Sequence, residues 1–290
     1  MKKEENIYLV PTIDTDPRHY NKCLKDGKNS VDDNFIYEQW SIKKAIEIAR
    51  DFMNGKGVFT IHTSPFFRDD FYSHPFIELW EEVVEMGGEL ALHPHEDKSV
   101  EGTLYNNERH MKKIIKDVTN KIRSIPLPLY IFRSGYYAWS NFIPDILREL
   151  EYKIDISCAP GAINPARDVN WIDSPKYACY YDKNKQNQFK GSYFVIPLGW
   201  DGKGNSFESN YLFCERGSLQ SLCHVWDVLL EDNTSFPKIV SLLFHTYALD
   251  DKNIYNRITN FIQYVKENNG IILGALEAKE LYDHKIKNSR

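Results

Sequence analysis

No apolar run in the 290-residue sequence approaches the roughly 20 residues that a membrane-spanning helix needs. The first apolar run, Ile7 to Val10, is too short for the core of a secretory signal peptide, and proline and acidic residues follow it. We therefore expect a soluble, cytoplasmic protein with no membrane span.

Cysteine is scarce, and its spacing does not indicate a disulfide or zinc framework. The five cysteines are an odd number, and no two of them have C-x-x-C spacing. Disulfide frameworks belong mainly to small secreted domains, which this chain does not resemble in length or in its first residues. We expect free thiols at Cys23, Cys158, Cys179, Cys214 and Cys223.

Basic residues are scattered rather than clustered. The 36 Lys and Arg form no stripe, and the formal net charge is -5, so we expect no nucleic-acid partner. Hydrophobic residues make up 42% of the chain and aromatic residues 14%, which is enough for a large core. Length alone allows one or two domains. Because no linker or low-complexity segment is present, we expect a single domain over 1–290.

Short apolar segments alternate with longer amphipathic ones. The apolar segments predict buried strands over 7–13, 58–62, 89–93, 129–133, 153–157, 193–198, 239–245 and 271–276. A helix is predicted over 41–53, where apolar residues recur at helical spacing behind a Ser41 cap. The other predicted helices cover 75–86, 106–123, 141–150, 218–231 and 254–268.

This alternation indicates an α/β fold with a parallel sheet, and about eight repeats favour a TIM-like barrel over an open sheet. In such a barrel the active site lies at the C-terminal ends of the strands. Two long irregular segments, 17–40 and 159–192, are either surface insertion loops or walls of a substrate cleft.

Polar residues follow many of the predicted strands. They are Asp14 and Asp16, His62, the group His93, His95 and Asp97, then Arg133, and finally His245. In an extended chain, residues i and i+2 project to one side, so Asp14 and Asp16 can face one pocket. Two such carboxylates need a nearby cation, although Asp-x-Asp also occurs in loop caps and on surfaces.

His93 and His95 share the same i, i+2 spacing. Two neutral imidazoles and one carboxylate suit Zn²⁺, and three protein ligands leave a position open for water, as in catalytic zinc sites. The alternative is a surface or hydrogen-bonded histidine pair. Arg133 follows apolar residues and should meet a carboxylate, either as a structural ion pair or as the partner that keeps Asp14 ionised. His245 is either a core histidine or a general acid.

The order of these motifs resembles the NodB-homology polysaccharide deacetylases, carbohydrate esterase family four. The matching segments are 12-TIDTD-16, 87-GGELALHPHED-97, 132-FRSGYYAW-139 and 242-LLFH-245. The resemblance covers roughly Ile7 to Leu276. It implies a distorted (β/α)7 barrel with one divalent metal, usually zinc.

Residue roles carry over motif by motif. The resemblance implies that Asp14 is the general base, Arg133 its orienting partner and His245 the general acid. It implies that Asp16 and His93 bind the metal.

The sequence departs from the family at two of these motifs. Thr15 separates two aspartates that are commonly adjacent in the family. The second histidine ligand is expected four residues after the first, where this chain has Asp97. We predict His95 as the third ligand because it shares a face with His93, and we keep Asp97 in reserve.

Other candidate substrate contacts are less specific. His62 is either a further site group or a hydrogen-bonded histidine. Aromatic side chains can stack on sugar faces or simply belong to the core. The candidates are Tyr136, Trp139 and Trp200, with Tyr137 and Trp171 beside them.

We predict a metal-dependent hydrolase that removes an N-acyl group, acetyl or formyl, from an amino sugar. Its substrate would be a nucleotide-linked or lipid-linked sugar in the biosynthesis of a surface polysaccharide such as O-antigen or capsule. One alternative is a barrel that binds sugar without catalysis, which is favoured if His95 and Asp97 both point away from the pocket. Another is a metal-independent glycoside hydrolase with two carboxylates flanking the sugar.

Overall fold

The computed structural model describes residues 6–27, 35–99, 102–181, 193–234 and 236–288. The strands are β1 (Ile7–Asp14), β2 (Val58–Thr63), β3 (Glu89–Pro94), β4 (Asp97–Ser99), β5 (Gly102–Thr103), β6 (Leu129–Phe132), β7 (Ile154–Asp155), β8 (Ile163–Asn164), β9 (Val169–Asn170), β10 (Cys179–Tyr181), β11 (Tyr193–Val195), β12 (Ile239–His245) and β13 (Gly270–Ile272). The helices are α1 (Tyr20–Asp26), α2 (Ile36–Phe52), α3 (Phe76–Glu85), α4 (Glu108–Ser124), α5 (Ile143–Glu149), α6 (Leu219–Glu231), α7 (Lys252–Glu267) and α8 (Ala275–Asn288).

The main sheet is curled and mostly parallel. Its strand order is β10-β11-β7-β6-β3-β2-β1-β12, and β13 pairs with β1. Just after β11, the amide of Gly199 donates to the carbonyl of Ser241 at 2.8 Å, and the amide of Ser241 donates to the carbonyl of Pro197 at 2.7 Å. These bonds join the two ends of the sheet. The seven wall strands are β1, β2, β3, β6, β7, β11 and β12, which confirms the predicted distorted (β/α)7 barrel.

Apolar side chains fill the inside of the barrel. Because successive side chains of a strand point to opposite faces, Tyr8 and Val10 of β1 lie in the inner cluster, whereas Ile7 and Leu9 pack with the surrounding helices. Every wall strand contributes to the inner cluster. Its members include Val58, Ala91, Ile131, Ile154, Phe194 and Ile239.

Helix α8 covers the N-terminal end of the barrel. Its Ala275, Ala278 and Tyr282 belong to the inner cluster. Glu89, at the start of β3, accepts hydrogen bonds from the backbone amides of Ala275 and Leu276, the latter at 2.9 Å. These amides lie in the first turn of α8, where backbone donors have no partner within the helix. The opposite end of the barrel is left for the strand-end residues.

The predicted helices are present as α2 to α7, with shifted ends. The predicted Ser41 cap was wrong, because α2 begins at Ile36 and the Ser41 hydroxyl donates to the carbonyl of Glu38 inside the helix, at 2.9 Å. The last predicted strand was wrong beyond Ile272, since α8 begins at Ala275 on the Glu89 carboxylate. Helices α1 and α8 were not predicted.

Two sequence expectations concern the whole chain. No helix in the described ranges combines the length and the apolar character needed to cross a membrane. As expected from their spacing, the five cysteines are free thiols. All except Cys223 are buried.

Glu89→Ala should lower the free energy of unfolding by about 1–3 kcal/mol, because it removes the acceptor for two first-turn amides of α8. Urea denaturation measures the change. The matched control is Glu280→Ala on the exposed face of the same helix, for which we expect a change within about 0.5 kcal/mol. Equal effects of the two substitutions would contradict the assigned role of Glu89.

Candidate active site

The polar residues that end the strands meet at one end of the barrel. Asp14 of β1 is paired in register with His245 of β12, and His62 of β2 with His93 of β3. A cavity of about 740 Å³ opens above them. Its lining includes Asp14, Asp16, His95, Arg133 and His245. The parallel strands therefore bring residues that are up to 231 positions apart, Asp14 and His245, to one site.

Asp14 and Arg133 form a buried ion pair. The Arg133 Nε donates to Asp14 Oδ2 at 2.8 Å, and both side chains are almost fully buried. Burial favours the neutral acid, but Arg133, then His93 and His245, outweigh it and hold the pKa of Asp14 below its ordinary value. The other carboxylate oxygen, Oδ1, is buried without a hydrogen-bond partner in the described structure. Asp14 is thus an ionised acceptor with one unused oxygen beside the cavity.

Three side chains that can bind a metal ion, Asp16, His93 and His95, converge next to this pair. The Nε2 atoms of His93 and His95 lie 3.1 Å apart. Asp16 Oδ1 lies 3.3 Å from His93 Nε2, and Asp16 Oδ2 lies 3.4 Å from His95 Nε2. Ligands at about 2.0–2.1 Å from a tetrahedral Zn²⁺ are separated by about 3.3 Å. The spacing of the three groups therefore fits one divalent metal ion.

The hydrogen bonds behind the two histidines define which nitrogen carries a lone pair. The Nδ1 of His93 faces the carbonyl of Arg133 at 2.9 Å, and the Nδ1 of His95 faces Asp97 Oδ2 at 3.3 Å. Both partners are acceptors, so in the neutral rings each Nδ1 carries the proton and each Nε2 carries a lone pair. Two lone pairs and a carboxylate that face one another repel unless a cation lies between them. Although burial opposes it, Asp16 and Asp97 raise the pKa of His95 to about 10. The surroundings of this ring therefore favour a positive charge.

His62 lies behind Asp16 instead of in the cavity lining. It is fully buried, and its Nδ1 lies 2.7 Å from Asp16 Oδ1. Burial lowers the pKa of His62 to about 4, so the ring is neutral and Nδ1 donates to the carboxylate. Asp16, His62 and His95 also form a group of possible metal ligands within 4.8 Å of one another. The 2.7 Å contact is a hydrogen-bond length, which makes His62 a support for Asp16. It does not reach the cavity as a substrate contact.

His245 is held by an acid that the sequence analysis missed. Its Nδ1 is hydrogen-bonded to Glu215, while its Nε2 lies 3.7 Å from Asp14 Oδ2 and 3.6 Å from Asp16 Oδ2. Burial disfavours the imidazolium, but Glu215 outweighs it, so the pKa of His245 is raised. The available signal was 211-YLFCE-215, an apolar run that ends in an acid, as at the other strand ends.

Of the predicted aromatic contacts, only Tyr136 and Tyr137 line the cavity. Trp139 packs against Trp171 in the core, with ring centres 4.9 Å apart. Trp200 stacks on Tyr211 and its indole donates to the carbonyl of Gly204. Aromatic residues that the sequence analysis did not select also line the cavity, namely Tyr20, Phe207, Phe213 and Tyr247.

Both long irregular segments contribute walls to the cavity. Arg18, Tyr20 and Asn21 come from 17–40, and Ile163 and Arg167 come from 159–192. Residues 28–34 and 182–192 of these segments lie outside the described residues. The described parts of both segments thus line the cavity, and their role as walls of a substrate cleft stays a prediction.

Comparisons with known proteins agree with this architecture. No protein-family model matches the chain, and no curated protein matches its sequence. Among solved structures, a protein assigned as a polysaccharide deacetylase from Pseudomonas aeruginosa PAO1 superposes with a TM-score of 0.61 at 13% identity, covering 97% of this chain and 91% of that one. A second such protein, from Mycobacterium smegmatis, has a TM-score of 0.58 at 14% identity and covers 100% and 93%. The fold is that of the polysaccharide deacetylases.

The same fold also occurs in a protein named PuuE allantoinase. It superposes with a TM-score of 0.58 at 12% identity and covers 95% of this chain and 90% of its own. At these identities the comparisons establish the fold, and the chemistry has to be argued from the site itself.

Arg133→Gln should lower the free energy of unfolding by about 3–5 kcal/mol, because it leaves Asp14 as an uncompensated buried charge. Arg148→Gln breaks an exposed Arg–Asp pair of 2.7 Å and is the matched control, with an expected loss of at most about 1 kcal/mol. Chemical denaturation compares the two variants. A loss for Arg133→Gln no greater than that of the control would show that Asp14 is not ionised in the folded protein.

Proposed function

We propose that this protein is a metal-dependent amide hydrolase that removes an N-acyl group, acetyl or formyl, from an amino sugar of a bacterial surface polysaccharide. One observation carries the proposal. Three metal-binding groups, Asp16, His93 and His95, converge within 3.1–3.4 Å of one another beside the ionised Asp14, at the floor of a large cavity.

The metal ligands in this proposal are Asp16 Oδ and the Nε2 atoms of His93 and His95. Two imidazoles with one carboxylate suit Zn²⁺. A divalent cation bound there would polarise the acyl oxygen of the substrate and lower the pKa of a nearby water. Asp97 is not a ligand in this scheme, because its carboxylate is engaged by other residues and lies on the far side of the His95 ring.

Asp14 acts as the general base. Its pKa is held below the ordinary value by Arg133, so it is ionised at neutral pH. Its unused oxygen, Oδ1, accepts a proton from the attacking water as the water adds to the acyl carbon. Arg133 keeps the carboxylate oriented through the 2.8 Å bond to Oδ2.

His245 acts as the general acid. With Nδ1 engaged by Glu215, its protonated Nε2 faces the two aspartates and can donate a proton to the departing sugar amine. Although burial opposes it, Glu215 raises the pKa of His245, which favours the protonated form that a general acid needs. The hydroxyl of water thus joins the acyl carbon while its proton goes to Asp14, and the C–N bond breaks as His245 gives its proton to the amine nitrogen. Transfer of a proton from Asp14 to His245, directly or through solvent, restores both groups.

The cavity supports a sugar substrate. About 740 Å³ lies within the range of small-molecule sites, roughly 300–1,000 Å³. Aromatic rings such as Tyr136 and Phe207 alternate with polar groups such as Asn21 and Asn164 in the lining. That two proteins of this fold are assigned as polysaccharide deacetylases supports an N-acyl sugar as the substrate class. A nucleotide-linked or lipid-linked amino sugar in O-antigen or capsule synthesis is our proposal for the natural substrate.

Release of acetate or formate from a panel of nucleotide-linked and lipid-linked N-acyl amino sugars tests the function. We expect release from at least one member, loss of release with a chelator, and recovery when Zn²⁺ is added. Sugar binding without release would favour a non-catalytic sugar-binding barrel. Release that a chelator does not affect would contradict the metal-dependent mechanism.

Two aspartate variants separate metal binding from proton transfer. Asp16→Ala should lose both the bound metal and the activity. Asp14→Asn should keep the metal but lower kcat by about 10²–10⁴-fold, because only the base is removed. Elemental analysis and turnover measure the two effects, and Asp173→Asn is an exposed aspartate control. Metal retention in Asp16→Ala would exclude the proposed ligand set.

Glu215→Gln should lower kcat by about 10²-fold or more while zinc content stays unchanged, because the neutral amide holds the His245 imidazolium poorly. Glu215 raises the pKa of His245. A general acid works only below its pKa, so the variant should lose activity at a lower pH than the wild type does. A pH–rate profile whose basic limb does not move would contradict the role of Glu215.

A further inference from the structure

We propose that Asp97 is a positioning residue that holds the Nε2 of His95 toward Asp16 and His93, and that Tyr20 and Arg167 hold Asp97 for this task. The inference rests on the proposed metal centre. The two segments that wall the cavity, 17–40 and 159–192, thus each contribute a residue that supports His95 through Asp97.

The Asp97 carboxylate is surrounded by donors. Its Oδ2 accepts from the hydroxyl of Tyr20 at 2.6 Å and lies 3.3 Å from His95 Nδ1. Its Oδ1 accepts from Arg167 Nη1 at 2.8 Å. Asp97 is almost fully buried, with 4% of its surface exposed. Among the described residues, Oδ2 is thus engaged by Tyr20 and His95 and Oδ1 by Arg167.

The contact with His95 determines what this imidazole offers to the metal-binding cluster. While Nδ1 donates to Asp97, Nε2 keeps its lone pair and faces Asp16 Oδ2 and His93 Nε2. Without the carboxylate, a buried Nδ1–H would have no acceptor. The other tautomer, or a rotated ring, would then compete with the metal-binding orientation.

Tyr20 and Arg167 belong to different walls of the cavity. Tyr20 begins α1, and its ring packs in a T-shaped arrangement with the His95 ring, with ring centres 5.0 Å apart. Arg167 lies in the single helical turn Pro165–Arg167 between β8 and β9, and its guanidinium lies 4.0 Å from the ring centre of Tyr136. The Tyr136 hydroxyl in turn donates to Asn21 at 3.1 Å. The two walls are thereby connected over His95.

The turn that carries Arg167 is itself anchored. The next residue, Asp168, accepts hydrogen bonds from Thr103 and Asn106, and its carbonyl accepts from the Trp139 amide at 2.8 Å. Arg167 is consequently presented to Asp97 by a turn with fixed neighbours, and its side chain is only 13% exposed. Such a partially buried, charge-assisted pair is stronger than an exposed ion pair.

The test is zinc affinity of the full-length protein, measured by competition with a chromophoric chelator. Asp97→Asn should bind zinc about 10–100-fold more weakly than the wild type, the range typical for loss of such a supporting partner. The thermal midpoint of the metal-free variant reports folding separately. Asp173→Asn, in the segment that carries Arg167, is the matched control and should match the wild-type affinity.

Two further variants keep Asp97 and remove one of its partners. Tyr20→Phe and Arg167→Gln should each weaken zinc binding by about 3–10-fold, as expected for one lost hydrogen bond. They provide the answer if Asp97→Asn does not fold. Unchanged zinc affinity in all three variants overturns the inference.

The outcomes distinguish this inference from the proposed function. A wild-type protein without zinc affinity would contradict the metal centre itself. If the wild type binds zinc and Asp97→Asn loses binding as completely as Asp16→Ala, Asp97 is a ligand and the positioning role is wrong. Co²⁺ spectra add a direct check, because the d–d bands should keep their shape in Asp97→Asn when the ligand set is the same.

Discussion

When the His93 and His95 rings are both neutral, their Nε2 lone pairs face each other 3.1 Å apart next to the Asp16 carboxylate, and the three groups repel one another. The rest of the site depends on holding these groups together against that repulsion. The ends of two strands of one parallel sheet, β1 and β3, supply the backbone positions, and buried hydrogen bonds to each ring supply the orientation. The arrangement is stabilised by positive charge between the three groups. A divalent cation provides this better than a single proton, because it can bind all three groups at once.

Arg133 links this cluster to Asp14. Its backbone carbonyl accepts from His93 Nδ1, while its guanidinium donates to Asp14 Oδ2. One residue therefore orients the His93 ring and keeps the neighbouring Asp14 carboxylate ionised. In a buried site every charged group needs a partner, and Arg133 meets this need for Asp14 while it also orients His93. It also means that substitution of Arg133 affects stability and chemistry together.

The walls of the cavity and the support of its floor come from the same segments. Tyr20 and Arg167 both line the cavity and both contact Asp97. On the opposite side, Glu215 lies between Phe213 and Arg216, which also line the cavity, and it holds His245. A substrate bound between these walls would touch residues that are one contact away from His95 and His245. Binding and the proposed chemistry are thus physically coupled.

Local sequence determined the seven wall strands, most helices and the residues that end the strands, but not the short strands β4, β5, β8, β9 and β10. This is possible because apolar periodicity and the change to polar residues at strand ends are short-range patterns. Asp14, Asp16, His93, Arg133 and His245 were all identified in this way, and the structure brings them to one end of the barrel. The roles assigned to them stay proposals. The start of α8 could not be read locally, because its first amides bind Glu89, which is 186 positions away from Ala275.

Only the tertiary structure decided which side chains face one another. The sequence left His95 and Asp97 as rival ligands, and the long-range contacts of Asp97 with Tyr20 and Arg167 turn it away from the cluster. Long-range packing likewise places Glu215 on His245. It also packs Trp139 against Trp171 and Trp200 against Tyr211, away from the cavity lining. Residue type and spacing are properties of the chain, whereas side-chain orientation depends on neighbours that arrive only when distant segments pack together.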